Sequence, residues 1–408
     1  MTITKDPLAE SGQNVDKLGA IVLALALLVG VGLLLYLYPV PMAIIIGLVL
    51  MVMAHEAGHL IAAKRAGMKA TEFFIGFGPR IWSFKRGETE YGVKAIPAGG
   101  YVKIIGMTNL EEVDPEDEPR TYRAAPLRWR LTVVLAGVTV NIVLALVLFF
   151  AVFAGKGMAD GPSTTIDQVV SDSPAAEAGM EPGDTIVSVA GIEINEWQDL
   201  PDALEDRADR PTTFVVERDG QLVEIQATPE ARSETDDSGF VGVAPGTEFT
   251  SLSLAEAGKE TLLTPVRAAR ATGETLVAFF SASGLEQHAD DVAGSGPSAN
   301  VSTEDGGVTG IVGIVDQGSD IVDSVWVLLF LLGAINFALA LFNLLPLPPL
   351  DGGHAAVAIY EGIAGKFTHR EVRVDYARLM PVAALTTIII LFFGLSVMLV
   401  DIRRLFGS

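Results

Sequence analysis

Five apolar runs, Leu18–Tyr38, Pro41–Ala63, Leu131–Ala154, Val325–Leu345 and Leu379–Val400, each reach or approach the roughly 20 residues an α-helix needs to cross a bilayer. In lipid every backbone amide must be satisfied within the protein, and a helix satisfies its own. The runs therefore predict a polytopic α-helical membrane protein. Composition agrees: half the residues are hydrophobic, 19% are charged and mean hydropathy is +0.42, which excludes an ordinary soluble domain and a disordered chain. The chain has no cysteine, so disulfides, thiolate metal sites and cysteine nucleophiles are excluded too. Leu18–Tyr38 is longer than the apolar part of a signal peptide and lacks a convincing small-residue cleavage site, which favours a retained helix.

The charge is unevenly placed. Asp160 to Asp320 holds 31 Asp+Glu against 7 Lys+Arg, whereas Lys64 to Arg130 holds 12 Lys+Arg against 9 Asp+Glu. Loops rich in Lys and Arg stay on the cytoplasmic side, so 64–130 is expected inside and 160–320 outside. A net charge of -22 argues against a nucleic-acid binder. An acidic, lysine-poor exterior suits a salt-saturated medium, in which carboxylate repulsion is screened, and a halophilic prokaryotic source is the expectation. Glu230–Glu248 and Gln287–Asp305 also read as acidic linker.

The second run ends in His55-Glu56-Ala57-Gly58-His59. Ionisable groups inside an apolar helix are costly unless paired, solvated or bound to an ion, so they mark a functional site. Residues four apart share a helix face, and both imidazoles can reach one cation, while the adjacent Glu56 can orient a water and take its proton. A catalytic zinc site takes three protein ligands. The third is sought where another apolar run is interrupted by polar residues, at Phe342–His354, and Asp351 is the candidate. Pro346, Pro348 and Pro349 must break the fourth run there. The competing reading of Pro349-Leu350-Asp351-Gly352-Gly353 is a simple exit turn at the membrane surface. His354 is read as supporting the site or facing the cytoplasm, with a ligand role the lesser alternative.

Thr71–Met107 alternates short apolar and glycine-rich pieces and predicts β-hairpins. Within Thr164–Thr228 the pattern predicts strands at Thr185–Val189, Thr213–Arg218 and Gln221–Ala227, a helix near Trp197–Asp206, and a two-residue hairpin turn at Asp219-Gly220.

These residues together resemble the site-2 proteases, intramembrane zinc metalloproteases that cut membrane-anchored substrates. The resemblance covers most of the chain after Pro41. It is carried by His55–His59, Phe74–Pro79, Pro97–Lys103 and Asn343–His354. It implies Zn2+ on His55, His59 and Asp351 with Glu56 as the base, matching the roles argued from the residues. The 71–107 segment, with Gly99 and Gly100, resembles the family's membrane-associated β-region, which implies that it holds the substrate extended. Leu135–Asn141 matches the family's third-span element in part, with Val138 where a proline is common. The resemblance implies that Asn141 donates to the developing oxyanion, and a packing amide between helices is an equal reading. Asn343 resembles a substrate-contacting asparagine, and capping of backbone groups freed at the proline break is its equal alternative. Ser173–Ile186 is similar to the signature of bacterial-type PDZ domains, which bind extended peptides at a sheet edge. Gly307–Asp320 weakly resembles the family's glycine-rich element before the aspartate-bearing span.

The expected organisation is a cytoplasmic tail and extra helix over 1–39, and a first catalytic part over 40–154. A PDZ-like extracytoplasmic α+β domain over 160–230 and an acidic linker with an amphipathic segment over 231–320 follow. A second catalytic part and a last helix fill 321–408. Three core helices and two peripheral ones place the active site near the cytoplasmic face of a multi-pass cell-membrane protein. The expected partners are the lipid bilayer and a membrane-anchored substrate, by family resemblance an anti-sigma-like or transcription regulator, with signal-peptide remnants as an alternative. A non-catalytic scaffold binding clients through its PDZ domain is the alternative. A zinc-dependent transporter is a third reading, disfavoured because the first and fifth runs offer almost no polar residues.

Overall fold

The computed structural model describes residues 29–406, apart from 31, 234–235, 280, 282–324 and 371. The expected tail, residues 18–28 of the first apolar run, Gln287–Asp305 and Gly307–Asp320 lie outside these residues. Residues 29–37, other than 31, are helical.

Among the described residues four helices are long and apolar enough to span a membrane. They are α1 (Pro39–Arg65), α2 (Leu127–Gly155), α6 (Val325–Asn343) and the apolar part, Tyr376–Ser396, of α8 (Tyr376–Phe406). Each overlaps one expected run. Helix α6 ends at Asn343, and the chain turns through the prolines before α7 (Asp351–Thr368) begins. The break falls where prolines remove amide donors and clash with the preceding turn.

The chain divides into two compact units, residues 1–151 with 261–408, and residues 152–260. In the first, β1 (Ala70–Arg86) and β2 (Thr89–Ile104) form the expected hairpin, but both strands fold over on themselves. Residues 70–77 pair with 96–104 on one side and with 90–93 on the other, so that Phe73 stands between Val102 and Tyr91, and 80–86 pair with 89–94 beyond. The result is a small curled sheet with 96–104 at one edge. The adjoining core joins Leu60, Ala63, Met68, Ala70, Ile104, Tyr122, Val133, Val134 and Ala355, which ties α1, the sheet, α2 and α7 together.

In the second unit β3 (Met158–Val169), β4 (Thr185–Val189), β5 (Ile192–Glu193), β6 (Thr212–Arg218), β7 (Gln221–Ala227) and β10 (Val243–Thr250) form one sheet. Its order is β10-β3-β4-β6-β7, with β5 on β4. Helices α3 (Pro174–Glu177) and α4 (Asp199–Leu204) cover a core of Ile166, Ile186, Val189, Leu200, Phe214, Val216 and Val241. Strands β4 and β7 have the expected limits, and Asp219 and Gly220 both take the left-handed conformation that a tight two-residue hairpin demands. The described part of the stretch read as acidic linker is more ordered than its charge suggested. Strands β8 (Glu230–Ser233) and β9 (Asp236–Phe240) pair with each other, and β10 pairs with β3 from Val243↔Val169 to Thr250↔Met158. Charge count misled here, because backbone pairing at a sheet edge needs few apolar side chains. Helix α5 (Leu254–Phe279) follows.

Asp184, whose side chain is 1% exposed, locks this unit. Arg218 Nε and Nη2 donate to its two oxygens at 2.6 and 2.7 Å, and Nη2 also donates to the Gly179 carbonyl at 2.8 Å. These bonds hold the Asp184 carboxyl below the usual carboxylate range. Arg218→Ala strands a buried carboxylate, a change that costs about 3–5 kcal/mol in a fully dry site and about 2 kcal/mol where the arginine is part-exposed. Hydrogen exchange of the β4 and β6 amides in the full-length protein should accelerate roughly 30-fold. Because the folded pKa is depressed, this stabilisation is complete above the unfolded value of about 3.9 and disappears as pH falls through the lower folded value, where variant and parent should converge.

Candidate metal centre

His55 and His59 occupy consecutive turns near the C-terminal end of α1, and both are buried. Their rings stand edge to face, 4.7 Å between centroids, with the Nε2 atoms 3.1 Å apart. Asp351, the first residue of α7, reaches them from the far end of the sequence, its Oδ2 3.2 Å from His55 Nε2 and 3.3 Å from His59 Nε2. The three side chains each offer one ligand atom to a common point.

Several observations test whether a metal fits. Bonds of about 2.0–2.2 Å at tetrahedral angles put zinc ligand atoms about 3.3 Å apart, and the three separations match this. Asp351 Oδ2 is buried and accepts no hydrogen bond, as expected of an atom meant for an ion. His59 Nδ1 is 2.7 Å from the Val133 carbonyl, which fixes that nitrogen as the protonated donor and leaves Nε2 with its lone pair toward Asp351. Two carboxylates, Asp351 and Glu56, stand by two imidazoles at the end of an apolar helix, and a divalent cation balances that charge. The residues fit zinc.

Glycines make the convergence possible. A Cβ built on Gly137 of α2 would collide with the imidazoles of His59 and His55, so only a bare backbone lets α2 pass the site this closely. At the start of α7, Cβ atoms on Gly352 and Gly353 would strike the backbone of Leu344–Pro348, so these glycines let the proline turn fold against the helix that carries Asp351.

Glu56 is half-buried, and its Oε2 accepts a hydrogen bond from the Val102 N–H at 3.1 Å. The sheet edge thus holds the carboxylate one position from the ligand pair. Gly100 sits on the same edge, where a Cβ would press on Met53 Sδ and the Phe74 carbonyl and touch Glu56 Cγ, and Gly99 takes φ +121 beside Phe77. Asn141 lies one turn beyond Gly137, fully buried, with neither amide atom in a hydrogen bond. Asn343 is the half-buried last residue of α6, before the proline turn. His354 is directed to Tyr376, its Nδ1 3.3 Å from the hydroxyl and its ring stacked on the phenol.

The structure therefore brings His55, His59, Asp351, Glu56 and Gly100 into one place. Sequence reasoning missed the Val133 carbonyl and the Val102 amide, which as backbone groups carry no residue signature. It also missed Asn336, buried on α6, whose Nδ2 donates to the Asn141 carbonyl at 2.6 Å. An asparagine interrupting an apolar run was a signal that could have found it.

Gly137→Ala should drive one imidazole out of place. The purified variant is expected to hold zinc more than about tenfold less tightly in a chelator competition, with helix content unchanged.

Comparison with known proteins places this geometry in a family. The profile of peptidase family M50 matches residues 43–387. The chain is 31% identical over 399 residues to zinc metalloprotease Rip1 of Mycobacterium tuberculosis strain H37Rv, covering 88% of this chain and 95% of the relative. It is also 31% identical over 378 residues to zinc metalloprotease Rip1 of Mycolicibacterium smegmatis, covering 82% and 92%. The same identity holds over 355 residues to metalloprotease MmpA of Caulobacter vibrioides, covering 78% and 85%. A membrane-embedded helix bearing two imidazoles, an aspartate delivered to them by a proline turn, and matches of this extent lead to one conclusion: the chain belongs to peptidase family M50, the site-2 proteases, and is a zinc metalloprotease.

Proposed function

We propose that this metalloprotease hydrolyses peptide bonds in or near the transmembrane segment of membrane-anchored proteins, with His55, His59 and Asp351 as its zinc ligands and Glu56 as its general base. The observation that carries this reading is the cluster of three ligand atoms 3.1–3.3 Å apart beside a carboxylate pinned by a sheet-edge amide. Zinc, when bound there, activates water and polarises a peptide carbonyl. The chain's own residues do the rest. With Oε2 held by Val102, Glu56 keeps its other oxygen to take a proton from the attacking water and to pass it to the leaving amine. Neither amide atom of Asn141 is hydrogen-bonded, which favours the oxyanion-donor role over the packing amide, since a packing amide would be bonded across the helices.

A helical peptide bond is shielded by its own hydrogen bonds and must unwind before attack. The edge formed by residues 96–104 supports a role in this, because an extended substrate segment added there would run past Gly99, Gly100 and Glu56. Asn343, at the mouth of the proline turn, is the further candidate for contact with that segment. We assign the PDZ-like role to residues 160–230, with β10 completing its sheet, as a selector of clients on the extracytoplasmic side. Lys64 and Arg65, in the last turn of α1, support a site near the cytoplasmic face of a multi-pass protein. A membrane-anchored regulator of transcription is the substrate class this reading favours.

The test is cleavage of a single-span substrate in proteoliposomes over a range of salt concentrations, by the parent protein and by Glu56→Gln, with zinc content measured on both. Loss of the base should lower the rate about 10²–10⁴-fold while zinc stays at parent level. Equal cleavage by the two proteins would exclude Glu56 as the base. Client binding by the parent without cleavage of any substrate in a panel would favour the scaffold.

A further inference from the structure

Asp351 is the ligand that the fold must carry furthest, and its helix is gripped at a second point. Glu361 lies ten residues after Asp351 on α7, about 15 Å along the axis, and is 6% exposed. A buried carboxylate needs a partner. Arg130 of α2, also 6% exposed, supplies it, with Nη1 2.7 Å from Oε2. The Val374 N–H donates to the other oxygen at 2.6 Å, and Arg373 stands 3.9 Å away. The guanidinium of Arg130 lies over the Tyr122 ring, 5.1 Å from its centroid. Beside Glu361, a Cβ on Gly362 would collide with Leu127, so the first turn of α2 also packs directly on α7.

Arg130 precedes Val133 by three residues, and the Val133 carbonyl is the group that holds His59. One stretch of α2, residues 127–133, thus grips both an imidazole and the helix that delivers the third ligand. A buried ion pair adds little net stability over apolar packing of the same volume. What it adds is direction, because the two groups meet in one register only.

We propose that the Arg130–Glu361 pair positions the metal centre by fixing α7 along its axis against α2, so that the Asp351 carboxylate stands at the two imidazoles. This rests on reading His55, His59 and Asp351 as the zinc ligands. The pair touches no reacting atom and acts through Asp351.

The experiment measures zinc affinity of the full-length protein in detergent by chelator competition, together with kcat, KM and thermal unfolding. Glu361→Gln keeps the side-chain volume and removes the charge. It is expected to weaken zinc binding about 10–100-fold and to lower kcat, with KM unchanged. Parent-level zinc affinity in folded Glu361→Gln overturns the proposal, and so does a drop in unfolding temperature with zinc affinity intact, which is the signature of a merely structural pair. If Glu361→Gln does not fold, Arg130→Gln replaces it, because glutamine removes the charge at the other end of the pair. The same weakening is expected there, and parent-level affinity overturns the proposal equally. Asp351→Asn separates this inference from the assignment beneath it. Undiminished zinc binding in Asp351→Asn refutes the ligand set, whereas loss there with retention in Glu361→Gln refutes the positioning role alone.

Discussion

An ionised carboxylate in an apolar medium is stable only when something of opposite charge is close and fixed. Much of the described architecture of the catalytic unit answers that demand. Asp351 and Glu56 need a cation, the cation needs imidazoles with free lone pairs, and an imidazole is oriented where its other nitrogen is held. The Val133 carbonyl does this for His59, and the helix that offers it can approach only because residue 137 has no side chain. Remove any one of these conditions and the remaining polar groups are left uncompensated in a low dielectric.

The same logic recurs at the N-terminal end of α2. There Glu361 and Arg130 bury each other, with the Val374 amide completing the carboxylate's partners. Two buried polar clusters therefore lie at either end of the segment from Asp351 to Glu361, and both are anchored on the first two turns of α2. Helix α2 is in this sense the reference element of the site, although it contributes no metal ligand. The curled sheet is the other reference, because its edge fixes Glu56 through a backbone amide, and a backbone amide is held in place by the strand as a whole.

Four of the apolar runs, the hairpin segment and the strands of the second unit were legible because each is set by local pattern. Bilayer length, alternation, and turn dipeptides such as Asp219-Gly220 act over neighbours in sequence. The acidic stretch after residue 230 was less legible. Its carboxylates suggested a linker, yet β10 closes onto β3 through backbone hydrogen bonds, which composition does not report. His354 was read as supporting the site or facing the cytoplasm, and it is turned to Tyr376.

The sequence alone determined that this chain lives in a membrane, that His55, Glu56 and His59 share one end of a helix, and that the prolines before Asp351 end another. Helical spacing and the cost of charge in lipid are local rules, and they need no knowledge of the fold. Only the tertiary structure decided that Asp351 meets both imidazoles, that Val133 orients His59, that Val102 holds Glu56, and that Arg130 and Glu361 face each other. These contacts join residues far apart in sequence, two of them through backbone groups that are chemically alike at every position. Their partners are chosen by how the helices and the sheet pack, which no local pattern encodes.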